Sequence, residues 1–385
     1  MLPKVNDISF LMGCDPEFFF RHKDEVIGAE KILPSKGLIV PGKHGNTGAM
    51  IDNKFIIDGV QAELNPRPSH CRANLANEIV ACFKALKIEL EKHSKHINVD
   101  FSRTVEISKE QLMTLDEKSR KFGCAPSLNI SKSGANIKDI DPEKYRTRAA
   151  GGHIHIGHNS FPLVKKAFTE YPERCVEMLD IICGNTCVLV DRDEGNIERR
   201  KVYGRAGEYR LPKHGLEYRT LSNFWLTSYP LMSMAFGLAR LAVQLMADTN
   251  HKEYYKAFTN KVKLTAVHAA INQNDFDIAM ANFNDIKETM LEVIPEGLQV
   301  IPEGYDGVNS RYSIHKGNIK EFHYFVDKIQ SKGLEYWFKK DPMTHWTTLG
   351  ECHAGGFHDF LADSVKKDMN KNPAMRLAVK YLKVA

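Results

Sequence analysis

The stretch Arg148-Ala149-Ala150-Gly151-Gly152-His153-Ile154-His155-Ile156-Gly157-His158 decides how the chain is read. Its second half alternates polar and apolar side chains, the period of a strand whose two faces meet different surroundings. His153 and His155 then share one face, while Ile154 and Ile156 pack behind them. The glycine pair ahead of them lets a ligand or another chain segment come close to the backbone. Imidazole suits zinc, also serves Mg²⁺ or Mn²⁺, and donates hydrogen bonds to phosphate. A single strand histidine is ordinarily structural. Two in register, fronted by glycines and by Arg148, favour a site.

Working outward, the spacing predicts further strands over 8–20, 55–65, 98–107 and 216–221, with 152–157 among them. Apolar residues at helical spacing (Leu75, Ile79, Cys82, Phe83, Leu86 and Leu90) predict a helix over 73–90, and a second runs over 172–189. Beyond Pro230 the pattern turns helical: 230–248, 252–272, 275–293, 318–332 and 373–384. Strands scattered among helices without βαβ alternation predict an α+β fold with a mostly antiparallel sheet. The composition shift divides the chain into a front part, 1–229, and a mainly helical C-terminal region, 230–385, packed on it.

The chain has 385 residues, 43% hydrophobic and 26% charged, which excludes disorder, collagen-like sequence and coiled coil. Its net charge of +5 is spread out, with Arg199-Arg200-Lys201 the longest basic cluster, so nucleic-acid binding is not indicated. No stretch approaches a membrane span; the most apolar, 231–247, contains Arg240. Cysteines at 14, 71, 82, 124, 175, 183, 187 and 352 form no CxxC pair and several sit in apolar stretches. Reduced, buried thiols in a cytosol-like compartment follow. The loop 34–48 does not fit the phosphate-loop pattern. His353 and His358 lack flanking acids and read as packing residues, as do Cys14 and Cys124 without a base.

Two acidic segments join the histidines. In Gly13-Cys14-Asp15-Pro16-Glu17, residues two apart aim two carboxylates at one point, with Pro16 marking an edge or bulge. In Asp58-Gly59-Val60-Gln61-Ala62-Glu63-Leu64-Asn65, the polar face carries amide, carboxylate and amide, oxygen-rich chemistry that suits Mg²⁺. Read alone, each is as compatible with a solvated turn or edge strand. A third segment is rich in arginine: Arg192, Arg199, Arg200, Arg205, Arg210 and Arg219, the last within Leu216-Glu217-Tyr218-Arg219. Guanidinium forks bind phosphate and carboxylate bidentately. Acids, histidines and arginines together fit a nucleotide triphosphate with divalent metals, whose about four negative charges must be neutralised before a carboxylate attacks phosphorus.

The ordered set GCDPE (13–17), DGVQAELNPRPSHCR (58–72), RAAGGHIHIG (148–157), YGRAGEYR (203–210) and GLEYRTLSNFW (215–225) resembles the phage-type carboxylate–amine ligases, or amidoligases, of the glutamine synthetase and glutamate–cysteine ligase superfamily. The resemblance covers about residues 8–228. It implies a curved antiparallel sheet forming a funnel that holds ATP and Mg²⁺ or Mn²⁺. It also implies amide formation through an acyl phosphate, with ADP and phosphate released. Carried over, it makes Asp15, Glu17, Glu63, His153 and Glu217 metal ligands. His155 would face the ATP phosphates, and Arg205 and Arg210 would contact phosphate and the transferring group. Arg219 would handle the substrate carboxylate or γ-phosphate, and Arg199 or Arg200 would be a looser substrate-side match.

Two departures matter. Asp-Pro-Glu stands where glutamine synthetase has Glu-x-Glu, which leaves the metal count open. No ammonia pocket is recognisable, which points to a larger amine: an amino acid, peptide or polyamine. The expected partners are therefore small-molecule or peptide carboxylates and amines, with no membrane, and homo-oligomerisation is left open. The family's frequency in bacteriophages implies a cytoplasmic enzyme, in the host if phage-encoded. Two other readings stand beside this one: a metal-dependent amide hydrolase, which leaves the arginines without a task, and a non-catalytic, virion-associated binding protein.

Overall fold

The computed structural model describes residues 1–6, 8, 10–41, 52–70, 72–120, 127–131, 141, 144–158, 161–294 and 337–349. The predicted helices over 318–332 and 373–384, His353 and His358, residues 42–48 of the loop 34–48, and Cys71, Cys124 and Cys352 lie outside them.

The fold is α+β, and every strand pairing among the described residues is antiparallel. Thirteen short strands are described: β1 (Leu11–Cys14), β2 (Glu17–His22), β3 (Glu25–Ile27), β4 (Leu38–Val40), β5 (Asn53–Asp58), β6 (Gln61–Asn65), β7 (Ile97–Asp100), β8 (Thr104–Glu106), β9 (Leu128–Asn129), β10 (Thr147–Ala149), β11 (Ile154–Gly157), β12 (Glu208–Arg210) and β13 (Gly215–Tyr218). One sheet runs in the order β1-β11-β13-β12-β9. A second runs β3-β2-β6-β5-β4, with β7 also paired to β2, and β8 and β10 form a separate ribbon. The predicted strand over 8–20 is therefore two strands in two sheets. Pro16, which cannot donate to a ladder, sits at the break. The predicted strand over 55–65 is a hairpin instead: Gly59 takes φ +61° at the first turn position, and Asp58 pairs with Gln61.

Behind the sheets lies the main hydrophobic core, which runs from Val5 to Trp346, with two smaller clusters beside it. The Arg72–Leu90 helix gives it Leu75, Ile79, Cys82, Phe83 and Leu86, as the helical spacing predicted. Phe83 packs with Phe18, Phe55 and Phe101 from the strand side and stacks on Trp346 from the C-terminal side. The Trp346 indole donates to Leu226 O at 2.6 Å. The core is thus continuous across residue 230.

One helix among the described residues, Tyr229–Ala247, is long and apolar enough to cross a membrane, yet its whole apolar window is buried in the protein. Ser228 caps it and Pro230 opens it. Its Arg240 lies over the Phe10 ring and donates to His70 O at 3.1 Å, which satisfies a cation in an otherwise apolar helix. The helix predicted over 252–272 is two, His251–Thr259 and Leu264–Gln273. The one predicted over 172–189 contains a buried π-turn, Asp180–Gly184. Cys14, Cys82, Cys175, Cys183 and Cys187 are buried free thiols.

Candidate active site

Register builds the site. Across the first sheet Gly13 lies opposite His155, His155 opposite Glu217, and Glu217 opposite Arg210. Directly paired residues point to the same side of a sheet, so three functional side chains form one row over the side-chain-free Gly13. Ile154, Ile156, Leu216 and Tyr218 point the other way and are buried in the core. Asp15, two residues past Gly13, completes the row at the junction of the sheets. On the second sheet Glu17 lies directly opposite Glu63, and Asp58 opposite Gln61. The chemistry therefore gathers where the chain crosses from β1 to β2.

Two acidic clusters result. In the first, ligand atoms of Asp15, His155 and Glu217 lie within 4.8 Å of one another. His153 borders it, with Nδ1 at 3.1 Å from Asp15 Oδ1 and 3.6 Å from Glu217 Oε1. His155 Nε2 is 3.0 Å from Asp15 Oδ2. Asp15 Oδ1, His153 Nε2 and His155 Nε2 are buried with no hydrogen-bond partner among the described residues. Glu217 accepts from Arg219 Nη1 and lies 3.5 Å from Arg210 Nη1. On its other ring nitrogen His155 meets His214 Nε2 at 3.2 Å.

The second cluster is Glu17, Asp58 and Glu63, again with ligand atoms within 4.8 Å. Its partners inside the protein are largely neutral. Glu17 Oε2 accepts from Gly151 N at 2.6 Å, Tyr203 Oη at 2.7 Å and Gln61 Nε2 at 3.2 Å. Glu63 Oε1 accepts from Asn65 Nδ2 at 2.7 Å.

Electrostatics separate the clusters. Burial pushes the Asp15 carboxyl up, but His155 and His153 outweigh it and hold the group well below the usual range. Glu217 is likewise lowered, its burial outweighed by His153 and Arg219. Burial and then Arg219 bring His153 down to about 4, whereas Asp15 overcomes the burial of His155 and raises it. In the second cluster every carboxyl rises. Burial and then Asp58 bring Glu17 to about 7. Burial, then Asp15 and Glu17, bring Glu63 to about 9. Asp58 rises through burial and Asp15, partly offset by Arg219 and Arg210.

The donor sets fit divalent cations. Carboxylates with one or two imidazoles suit Mg²⁺ or Mn²⁺, and like charges placed directly opposite on a sheet are unfavourable without a counter-ion or a proton. The buried, unpartnered Asp15 and histidine atoms are the lone-pair carriers such an ion would engage. His155 shares the first cluster with Asp15 and Glu217, where its imidazole could also serve a cation.

The arginines divide. Arg210 and Arg219 reach the acidic row. The expectation that Arg199 or Arg200 faces substrate is corrected. Arg199 is fully buried and donates to Thr220 O, Arg219 O and Leu221 O at 2.7–3.0 Å, fixing the exit of β13. Arg200 is buried and donates to Asn274 Oδ1 at 3.0 Å. Arg192 lies 3.6 Å over the Phe276 ring. Arg205 sits at the turn that follows the Gly195–Val202 helix, its Nε donating to Arg200 O at 3.0 Å.

The glycine pair proves to admit protein. A Cβ at Gly151 would meet His153 Nε2 at 2.5 Å, and one at Gly152 would strike Ser222 O and the Trp225 indole, which donates to Gly152 O. Two site residues escaped the sequence reading. Asp58 stands in the second acidic segment with no role assigned to it from sequence; the Asp58-Gly59 hairpin signal is what places it beside Gln61. Tyr203 carries no periodic signal at all.

Residues 141–294 match the family model described as phage phiEco32-like COOH.NH2 ligase-type 2. Over these residues the chain is similar to that carboxylate–amine ligase family. The matched stretch holds His153, His155, Arg205, Arg210, Glu217 and Arg219, while Asp15, Glu17, Asp58 and Glu63 lie before it and meet them in space. No curated protein sequence matches the chain. Among solved structures it is similar to PafA, the ligase of the prokaryotic ubiquitin-like protein Pup. Identity there is 13% and TM-score 0.42, over 96% of this chain and 72% of that one. It is also similar to a bifunctional glutathione synthetase from Pasteurella multocida, at 11% identity and TM-score 0.42, over 97% of this chain. The chain spans about half of that synthetase, 51% of its length.

Proposed function

We propose that the protein joins a carboxylate to an amine at the expense of ATP, through an acyl phosphate, releasing ADP and phosphate. The observation that carries this reading is the pairing of two acidic clusters with Arg210 and Arg219 at one sheet junction. Asp15, His155 and Glu217, with His153 at their border, would hold one cation, and Glu17, Asp58 and Glu63 a second. Bound there, Mg²⁺ or Mn²⁺ would neutralise the charge of the triphosphate. The two antiparallel sheets around the β1–β2 crossing would form the walls of a glutamine-synthetase-like funnel.

The residues then have separate tasks. Arg219, anchored on Glu217, and Arg210 opposite it supply donors where negative charge grows as the γ-phosphoryl group passes to the carboxylate. Arg205, on its turn, is assigned to the nucleotide phosphates. The buried walls exclude water, which would otherwise hydrolyse the acyl phosphate before the amine arrives. The buried thiols suit a reducing cytoplasm, the compartment we assign to the enzyme.

The test is direct. The purified protein is incubated with ATP, Mg²⁺ and pools of carboxylates and amines while nucleotide products and substrate masses are followed. ADP and phosphate formed only with both substrates present support the reading. AMP and pyrophosphate would replace the acyl phosphate by an acyl adenylate, and amide cleavage without ATP would make the enzyme a hydrolase.

A further inference from the structure

We infer that Tyr203 is a positioning residue that ties the two acidic clusters together and orients Glu17 for its cation, an inference that rests on the two-cation reading above. The phenol is buried, and its hydroxyl lies 2.7 Å from Glu17 Oε2 and 3.0 Å from Ala149 O. With Gly151 N and the Gln61 amide it makes three donors converge on one carboxylate oxygen. That convergence fixes the plane of the Glu17 carboxylate. The other end of the same side chain serves the first cluster. The His153 ring meets the Tyr203 ring edge-on at 5.8 Å, and the Arg219 guanidinium lies 5.6 Å from its centroid. Arg219 in turn holds Glu217. One side chain therefore touches Glu17 on one sheet and two neighbours of Glu217 on the other.

The local backbone is built to hold it there. Tyr203 is the first residue past the Gly195–Val202 helix and is extended, with its N–H on Arg199 O at 3.0 Å. Gly204 follows at φ +79°, and a Cβ there would strike the Arg199 guanidinium. That guanidinium lies 4.9 Å from the Tyr203 centroid while it grips the carbonyls of residues 219–221. Helix end, arginine and phenol form a brace between β13 and β2. A ring alone would fill the space, but only a hydroxyl orients the carboxylate. Groups that hydrogen-bond a metal ligand in this way typically contribute about 10–100-fold to metal affinity or activity.

Tyr203→Phe isolates the hydroxyl. Mn²⁺ is titrated into wild type and variant by calorimetry and electron paramagnetic resonance, with thermal unfolding and ligase kinetics alongside. Two Mn²⁺ ions are expected in the wild type. The variant should unfold cooperatively, keep one site unchanged and lose about 10–100-fold affinity at the other. Its kcat should fall with little change in KM for ATP, and excess Mn²⁺ should restore part of it. Gln61→Leu, which removes another donor from the same oxygen without touching His153 or Arg219, should weaken the same single site. If both variants bind two ions as the wild type does, the inference is overturned while the two-cation reading stands. If the wild type binds no Mn²⁺, that reading fails and the inference falls with it.

Discussion

The two acidic clusters differ in how the protein balances them. Asp15 and Glu217 are surrounded by His153, His155, Arg210 and Arg219, and both carboxyls stay charged. Glu17, Asp58 and Glu63 meet Gln61, Asn65, Tyr203 and one backbone amide, and all three resist ionisation. The first cluster is therefore organised by the chain itself. The second holds together at neutral pH only with protons or an added cation. A ligand that brings divalent ions would complete the second and merely occupy the first. This contrast separates residues whose loss harms folding from residues whose loss harms chemistry alone.

The largest expected effect is on turnover and falls on both clusters. Glu63→Ala and Glu217→Ala should each lower kcat/KM by at least about 10²-fold, the scale of removing one group that stabilises developing charge. Substrate-dependent ADP release under saturating ATP and Mg²⁺ checks this. Near-wild-type rates in either variant would remove that cluster from the chemistry.

Stability should then split them. Glu217→Gln leaves Arg219 buried without its carboxylate, and breaking a buried pair from one side costs about 3–5 kcal/mol. Glu63→Gln instead removes one of two carboxylates facing each other across β2 and β6, so the metal-free protein should become more stable. Chemical denaturation without divalent ions measures both. Equal destabilisation by the two variants would break the comparison, because it would mean that both clusters are organised in the same way.

How much of this was legible beforehand depends on which physical signal each residue leaves. Strand alternation correctly aimed His153 and His155 to one face and Ile154 and Ile156 to the other, because period two needs only local sequence. The same rule placed Gln61 with Glu63. Local pattern does not say which strands pair, so the row Gly13–His155–Glu217–Arg210 appears only in the fold. Nor does it distinguish an arginine bound for phosphate from one bound for carbonyls. Arg199 and Arg210 look alike in sequence. One ends fully buried on three peptide oxygens and the other beside an acid. Tyr203 was invisible for a related reason: its role comes from a turn that follows a short helix, with no periodicity to mark it.

That arginine contrast yields a smaller, cleaner pair of effects. Arg199→Ala should lower the unfolding midpoint, since three carbonyls at the exit of β13 lose their donors and buried unsatisfied groups cost about 1–3 kcal/mol each. Arg210→Ala should leave the midpoint nearly unchanged and slow turnover. Thermal unfolding and steady-state kinetics on the two variants decide it; a reversed pattern would return Arg199 to the substrate side.

The gentlest probe is pH. A carboxyl whose affinity for protons rises on folding stabilises the protein below its unfolded pKa, and that contribution is lost as pH climbs through the folded value. For Glu17 the window runs from 4.5 to about 7, and for Glu63 from 4.5 to about 9. Metal-free protein should therefore lose stability steadily between these limits. Mg²⁺ favours the ionised carboxylates, so its stabilising effect should grow over the same range. The first cluster contributes with the opposite sign: Asp15 is held low, so its share is complete above 3.8 and is lost only in stronger acid. Glu63→Gln should flatten the alkaline decline and blunt the response to Mg²⁺, leaving the acid limb intact. Unfolding midpoints from pH 4 to 10, with and without Mg²⁺, test this. An alkaline decline that survives Glu63→Gln unchanged would place its cause outside the second cluster.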